Sequence, residues 1–189
     1  MAEISTLQTI KRWFKSEEQH SIVDADDFAR LYDQNYLIVF RYIYGLLNGA
    51  QQDVEDITAE TFMRAWATRY RFTGNDQAVI GWLLRIARNL VIDASRRKKV
   101  HAVDDNIEIE SLLDTNATPE VDLMSREQTA ILWNMLVSLT DETREMLVLR
   151  YMIGWQVKQI AAYLEMSENN VSVSIRRTLN RLQHNWKQS

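Results

Sequence analysis

A chain of 189 residues with 46% hydrophobic and 25% charged side chains can bury a core in one or two small domains, which excludes a disordered protein. No apolar run approaches the ~20 residues that cross a bilayer, and MAEISTLQTIKRWFKSEEQH lacks the apolar stretch of a signal peptide, so a cytoplasmic protein without membrane insertion is expected. With no Cys there is no disulfide or thiolate zinc site, and His20, His101 and His184 lie too far apart in sequence to suggest a ligand cluster, so no metal or cofactor is expected.

Five Gly and one Pro leave few breaks, so long helices are the default and the fold class is all-α. Residues 1–25 form an N-terminal extension in which Ile4, Leu7, Ile10, Trp13 and Phe14 are spaced for a small amphipathic helix, expected to pack on a domain rather than on a membrane. Three amphipathic helices are predicted across a first domain, residues 26–100. Their apolar positions are Phe28, Leu31, Tyr32, Val39, Phe40, Ile43 and Leu47, then Val54, Ile57, Thr61, Phe62 and Ala65, then Ile80, Leu83, Leu84, Ala87, Leu90 and Val91.

In the second of these, DITAETFMRAWATRYRF, Phe62 and Trp66 stand four apart and are read as core, the alternative being a surface for bases or a partner helix. Asp53, Asp56 and Glu60 could also mark a metal site, but carboxylates at helical spacing are common without ions. Trp82 fits the periodicity of GWLLRIA as core, with stacking on a base as the other reading.

The net charge of −4 argues against coating nucleic acid through bulk charge, yet its distribution is uneven. Arg85, Arg88, Arg96, Arg97, Lys98 and Lys99 crowd one stretch, and Asp104, Asp105, Glu108, Glu110, Asp114, Glu120 and Asp122 the next. The acidic stretch has no helical period and contains the only proline, Pro119, so residues 101–124 are read as a flexible linker. A second helical domain, residues 125–189, begins with helical spacing through Ile131, Met135 and Leu139, then Met146, Leu147 and Tyr151.

Near its end, IAAYLEMSENNVSVSIRRTLNRL has helix-turn-helix spacing. A short helix contains Ala161, Glu165 and Met166 break it, Ser167 is placed to cap the next helix, and Val171 and Ile175 point inward. A second helix laid in a major groove would present Glu168, Asn169, Ser172, Arg176 and Arg177. An ordinary helical hairpin in a bundle has the same loose pattern.

FARLYDQNYLIVFRYIYGLLN, DVEDITAETFMRAWATRYRF and GWLLRIARNLVIDASRRKK together resemble region 2 of the extracytoplasmic-function (ECF) group of sigma-70 family sigma factors, and the helix-turn-helix falls where region 4 belongs. The resemblance runs from about Phe28 to Leu182. It implies two small helical domains and a non-enzymatic specificity subunit that joins core RNA polymerase, reads two promoter elements and helps open the DNA. By this resemblance the α-helical face with Asp56, Glu60, Met63, Arg64 and Arg69 docks on the coiled-coil of the polymerase largest subunit; the bland alternative is a solvated face. The loop between Arg71 and Ile80 and the start of the next helix would hold the minus-10 element. Asn89 would contact the non-template strand, its amide both donating and accepting at a base edge, while Arg88, Arg96, Arg97, Lys98 and Lys99 would follow the phosphates. Members of the group are commonly held inactive by an anti-sigma partner, and one is expected here.

The chain departs from the family in three places. Glu165 stands where relatives often have Gly, at an expense of about 1 kcal/mol if the backbone there is left-handed. Ser172 and Ser174 replace residues that are often basic, shifting duplex contact to Arg176 and Arg177, and residues 1–25 exceed the usual lead-in. The competing function is a helix-turn-helix regulator that binds duplex DNA without polymerase. It would need neither DITAETFMRAW nor RNLVIDASRRKK. An enzyme finds little support, because no Gly-rich phosphate loop, nucleophile elbow or paired catalytic constellation is present.

Overall fold

The computed structural model describes residues 24–47, 51–101, 135–136 and 138–186, without the side chains of 51, 76–77 and 98–101. The amphipathic segment from Ile4 to Phe14, most of the linker and Ile131 therefore lie outside the described residues. No strand element occurs among the described residues.

A first unit comprises α1 (Ala25–Leu47), α2 (Gln51–Thr68), a 3-10 turn (Arg69–Arg71) and α3 (Asp76–His101). Polar side chains set two of the starts: Asp24 Oδ1 accepts from the Asp27 N–H at 2.9 Å and Asn75 Oδ1 from the Ala78 N–H at 2.9 Å. The three helices pack mutually. Leu31, Val39, Ile43 and Leu47 of α1, Val54, Phe62 and Ala65 of α2, and Ile80, Leu83, Leu84, Ala87, Leu90 and Val91 of α3 are buried. Each large aliphatic chain removed from water contributes about 1.5–3 kcal/mol. Thr58 and Thr61 are buried as well, and their hydroxyls donate to the Val54 and Ile57 carbonyls, each at 2.7 Å, so neither hydroxyl is stranded where α2 meets its neighbours.

The second unit comprises α4 (Asp141–Leu147), a π-helical turn (Val148–Met152), α5 (Val157–Leu164) and α6 (Glu168–Trp186). Thr140 Oγ1 caps α4 by accepting from the Thr143 N–H at 3.4 Å, and the acidic side chains of Asp141 and Glu142 favour the positive end of the helix. The π turn corrects one expectation. The regular period that places Met146 and Leu147 inside also places Tyr151 inside, but Tyr151 is 60% exposed while Leu149 and Ile153 are buried. A wider turn contains an extra residue and rotates everything after it, so the phase read from α4 fails beyond Val148.

The two units share a single apolar core. Gly45 of α1 lies against the π turn so closely that a Cβ there would stand 2.6 Å from Val148 Cγ2 and 2.8 Å from Met152 Sδ. Beside it, the largely buried Arg144 guanidinium donates to the carbonyls of Leu46 at 3.1 Å, Leu139 at 3.1 Å and Leu136 at 3.0 Å. A cation on the last carbonyls of α1 satisfies acceptors that have no partner within the helix.

Candidate nucleic-acid interface

The helix-turn-helix is built as its spacing requires. Gln156 N–H donates to Gln159 Oε1 at 2.8 Å at the start of α5, and Ser167 Oγ accepts from the Asn170 N–H at 3.2 Å at the start of α6. Val171 and Ile175 are buried as expected. Glu165 adopts φ 58° and ψ 40°, and the Met166 N–H returns to the Ala161 carbonyl at 2.9 Å. The turn is thus closed as a glycine would close it, with a side chain bearing the strain.

Burial of Val171, Ile175 and Thr178 turns the opposite face of α6 to solvent, and Glu168, Asn169, Ser172, Arg176 and Arg177 are all exposed on it. Both Arg176 and Arg177 point outward.

On α2, Asp56, Met63 and Arg64 are exposed and Glu60 is half-buried, its Oε1 accepting from Arg64 Nε at 2.7 Å. Among the described residues no group of three or more His, Cys, Asp or Glu side chains is gathered tightly enough to hold a metal ion. Phe62 is core at 4% exposure, whereas Trp66 at 37% is not, which corrects the reading of the pair. Trp66 meets Phe28 near the start of α1, with ring centroids 5.1 Å apart and planes at 68°, and the Arg69 guanidinium lies 3.5 Å from the Trp66 centroid. Arg69 also donates to the Trp66 carbonyl at 2.8 Å. Its planar cation rests on the electron-rich ring. Trp82 stacks on Phe72 at 5.0 Å, half-buried, in keeping with its packing role.

The α3 face is the most constrained. Arg96 and Arg97 are exposed, Arg97 Nε donating to the Asp93 carbonyl at 3.3 Å, and Lys98 and Lys99 continue the helix with side chains outside the described residues. About two to three turns earlier, Arg85, Arg88 and Asn89 line a cleft of about 300 Å³ whose opposite wall is Tyr163, Leu164 and Glu165 at the end of α5. Arg85 Nη2 lies 3.7 Å from Glu165 Oε1, both groups exposed, so the pair adds little stability. Behind Arg88, Glu145 is buried. One carboxylate oxygen accepts from Tyr42 Oη at 2.5 Å and the other from Arg88 Nε at 2.9 Å, and Tyr163 Oη lies 3.3 Å from Tyr42 Oη. Because Tyr42 commits its one proton to the carboxylate, Tyr163 is the donor to Tyr42.

Burial, the neighbouring Tyr163 and Glu145 together hold the Tyr42 phenol well above its ordinary pKa, and burial lifts Tyr163 to about 12. Burial pulls the Arg88 guanidinium down, but its hydrogen bond and charge contact with Glu145 outweigh that and leave it raised. Both phenols are neutral and Arg88 is cationic at neutral pH. Glu145, Tyr42 and Tyr163 are site residues that sequence reasoning misses. Tyr42 and Glu145 are 103 positions apart, and Glu145 sits in DETREML, where an acid near a helix start reads as solvated.

The family profile described as Sigma-70 region 2 matches residues 31–100, and that described as Sigma-70, region 4 matches residues 129–182. The chain is 30% identical over 160 residues to the ECF RNA polymerase sigma factor BldN of Streptomyces coelicolor, an alignment covering 85% of this chain and 60% of BldN. It is 29% identical over 145 residues to the ECF RNA polymerase sigma factor SigL of Mycobacterium tuberculosis, covering 75% of this chain and 78% of SigL. Among solved structures, the sigma factor RpoE of Bartonella quintana, crystallised with the anti-sigma factor NepR, has the same fold with a TM-score of 0.66 and 24% identity, over 86% of this chain and 98% of RpoE.

Proposed function

The chain belongs to the extracytoplasmic-function group of the sigma-70 family, and from that premise we propose that it binds core RNA polymerase, recognises a two-part promoter and assists its opening. Bond formation belongs to the polymerase in this reading, and the chain contributes no catalytic residue. The domain limits that go with it are a polymerase- and minus-10-binding domain at 26–100 and a minus-35-binding domain at 125–189, joined by the acidic segment.

One observation carries the reading: a single chain combines a solvent-facing helix-turn-helix recognition surface with a separate arginine-rich helix face bearing Asn89. A duplex reader needs only the first. A strand-capturing surface needs cations for phosphates and groups that replace base stacking and base-edge hydrogen bonds once a base leaves the helix. Arg85, Arg88 and Asn89 supply the cations and the amide. The exposed Asp56, Met63 and Arg64 of α2, with Glu60 and Arg69 beside them, are proposed to dock on the coiled-coil of the polymerase largest subunit. Two lines of support favour an anti-sigma partner as well: the family membership, and the likeness to RpoE, whose structure was obtained with NepR.

Run-off transcription with core polymerase on a promoter library is the test, repeated with each promoter element scrambled. Specific starts that depend on both elements are expected. If the chain stimulates no specific start, or binds its duplex equally well and activates without region 2 contacts, the plain helix-turn-helix regulator becomes the better account.

A further inference from the structure

The strand-facing side of α3 is engaged at its two arginines, while Asn89 stays exposed in the cleft beside them. Arg88 donates to Glu145 at 2.9 Å, the Arg85 guanidinium lies 5.9 Å from the centroid of the Tyr163 ring, and Glu165 places a second carboxylate 3.7 Å from Arg85. An oxyanion on one arginine, an aromatic ring beside another and a further negative charge are the groups that one or two nucleotides would bring: phosphate oxygens for the guanidiniums and a base for stacking. The contact is also anchored away from the DNA face, by Tyr42 on Glu145, by Arg144 on the Leu46 carbonyl and by Gly45 against Val148. Among the described residues, Asp56, Met63 and Arg64 of α2 and the groove-facing residues of α6 have no such contact from the other unit and are exposed in the same arrangement, whereas Arg88 is half-buried under Glu145.

We propose that the second unit is a built-in competitor for single-stranded DNA: through Glu145, Tyr163 and Glu165 it engages Arg85 and Arg88 as a nucleotide would and walls the cleft beside Asn89, and strand capture requires this contact to open. The proposal rests on the reading of that face as a strand-binding surface. In the closed arrangement polymerase docking through α2 and duplex contact through α6 remain geometrically open, so both can precede opening. A ligand that needs the open form binds with an affinity reduced by the fraction of molecules that are open. Removing the competitor therefore strengthens strand binding without adding a contact.

The full chain is titrated, at one fixed salt concentration, against a pool of short single-stranded DNA oligonucleotides, with affinity read by fluorescence anisotropy and compactness by small-angle scattering. If about one molecule in ten is open, Glu145→Ala raises affinity about tenfold and increases the radius of gyration, and adding Asn89→Ala to it abolishes the gain. Tyr42→Phe, which keeps the ring and removes one hydrogen bond to Glu145, shifts both readouts the same way by less. If Glu145→Ala loses helix content by circular dichroism, Tyr42→Phe alone decides. An expanded Glu145→Ala protein with unchanged affinity, while Asn89→Ala still weakens binding, overturns the competition and leaves the strand-binding face standing. Affinity indifferent to Asn89→Ala in both backgrounds removes the strand-binding face itself. Variants that keep both the compactness and the affinity of the parent overturn the proposed contact.

Discussion

Two helices are expected to meet DNA, and the molecule treats them differently. On α6 the residues at the groove face, from Glu168 to Arg177, are open to solvent, because one stripe of Val171, Ile175 and Thr178 satisfies the whole inward side. On α3 the stripe of Leu83, Leu84, Ala87 and Leu90 does the same inward, yet the outward Arg88 is held by Glu145 and Arg85 faces Tyr163 and Glu165. Periodicity along one helix tells which side faces out; what lies opposite that side is decided by a segment far away in the chain.

The largest effect expected from this contrast is on duplex binding. Replacing Arg176 and Arg177 together with Ala should weaken recognition of the upstream element by about 1–3 kcal/mol for each arginine that pairs with a guanine, while binding to core polymerase and to a pre-melted minus-10 strand persists. Gel-shift titrations at several salt concentrations separate the two roles: an arginine that reads a base relaxes sequence preference when it is removed, and one that neutralises a phosphate lowers the salt slope by about one. If affinity, salt slope and base preference all remain as in the parent, α6 is not the helix in the groove.

Next comes the joint between the units. Gly45→Ala drives a methyl to within 2.6 Å of Val148 Cγ2, an overpacking expected to destabilise the docked arrangement by about 1–3 kcal/mol. Thermal melting followed by α1-to-π-turn proximity should report it, with no direct effect on the outward faces of α3 and α6. An unchanged melting temperature would mean that the units part by so small a movement that the methyl is accommodated.

Alkaline titration sharpens the same contrast. Tyr42 and Tyr163 have pKa values raised by folding, so their neutral forms favour the docked state; that stabilisation is complete below the ordinary phenol value of 10.0 and is lost as pH rises through about 12 for Tyr163 and through the raised pKa of Tyr42. Glu145, Arg88 and Arg85 are the charged groups that face them. Phenolate absorbance should show a component that ionises well above the ordinary phenol value of 10.0, together with an increase in radius of gyration. Ionisation of every tyrosine in one step, without expansion, would contradict the arrangement.

The smallest effect is local. Glu165→Gly relieves a left-handed residue but loosens the unfolded chain, for a net gain of at most about 1 kcal/mol. The Arg85 contact it deletes is too exposed to offset that, so the melting temperature should rise slightly; a fall would assign Glu165 a larger share in holding α5 over α3.

Much of the fold is legible in the sequence because α1, α2 and α3 are long and strongly periodic, and all the apolar positions read on α3 are buried. Trp66 escapes that reading because i to i+4 spacing with Phe62 gives the face but not where the covering helix ends. Tyr151 escapes it because a π turn leaves no mark in composition, only a phase error after it. The α6 surface is legible for the same reason as the helices. The Glu145 cluster is not, since a buried carboxylate is recognisable only by partners that arrive from α1, α3 and α5.

Arg144 has a consequence for the order of folding. Its bonds to Leu139 and Leu136 close loops of five and eight residues, but its bond to Leu46 spans 98. Loop-closure entropy grows with the logarithm of length, about 0.6 kcal/mol for each doubling, so the local bonds form early and the long one waits until both units exist. Docking is then the last event in folding and the first undone, and it can be undone without melting a helix. In native-state hydrogen exchange the amides of α3 and α6 should stay protected through an opening that already exposes the Tyr42 and Glu145 side chains.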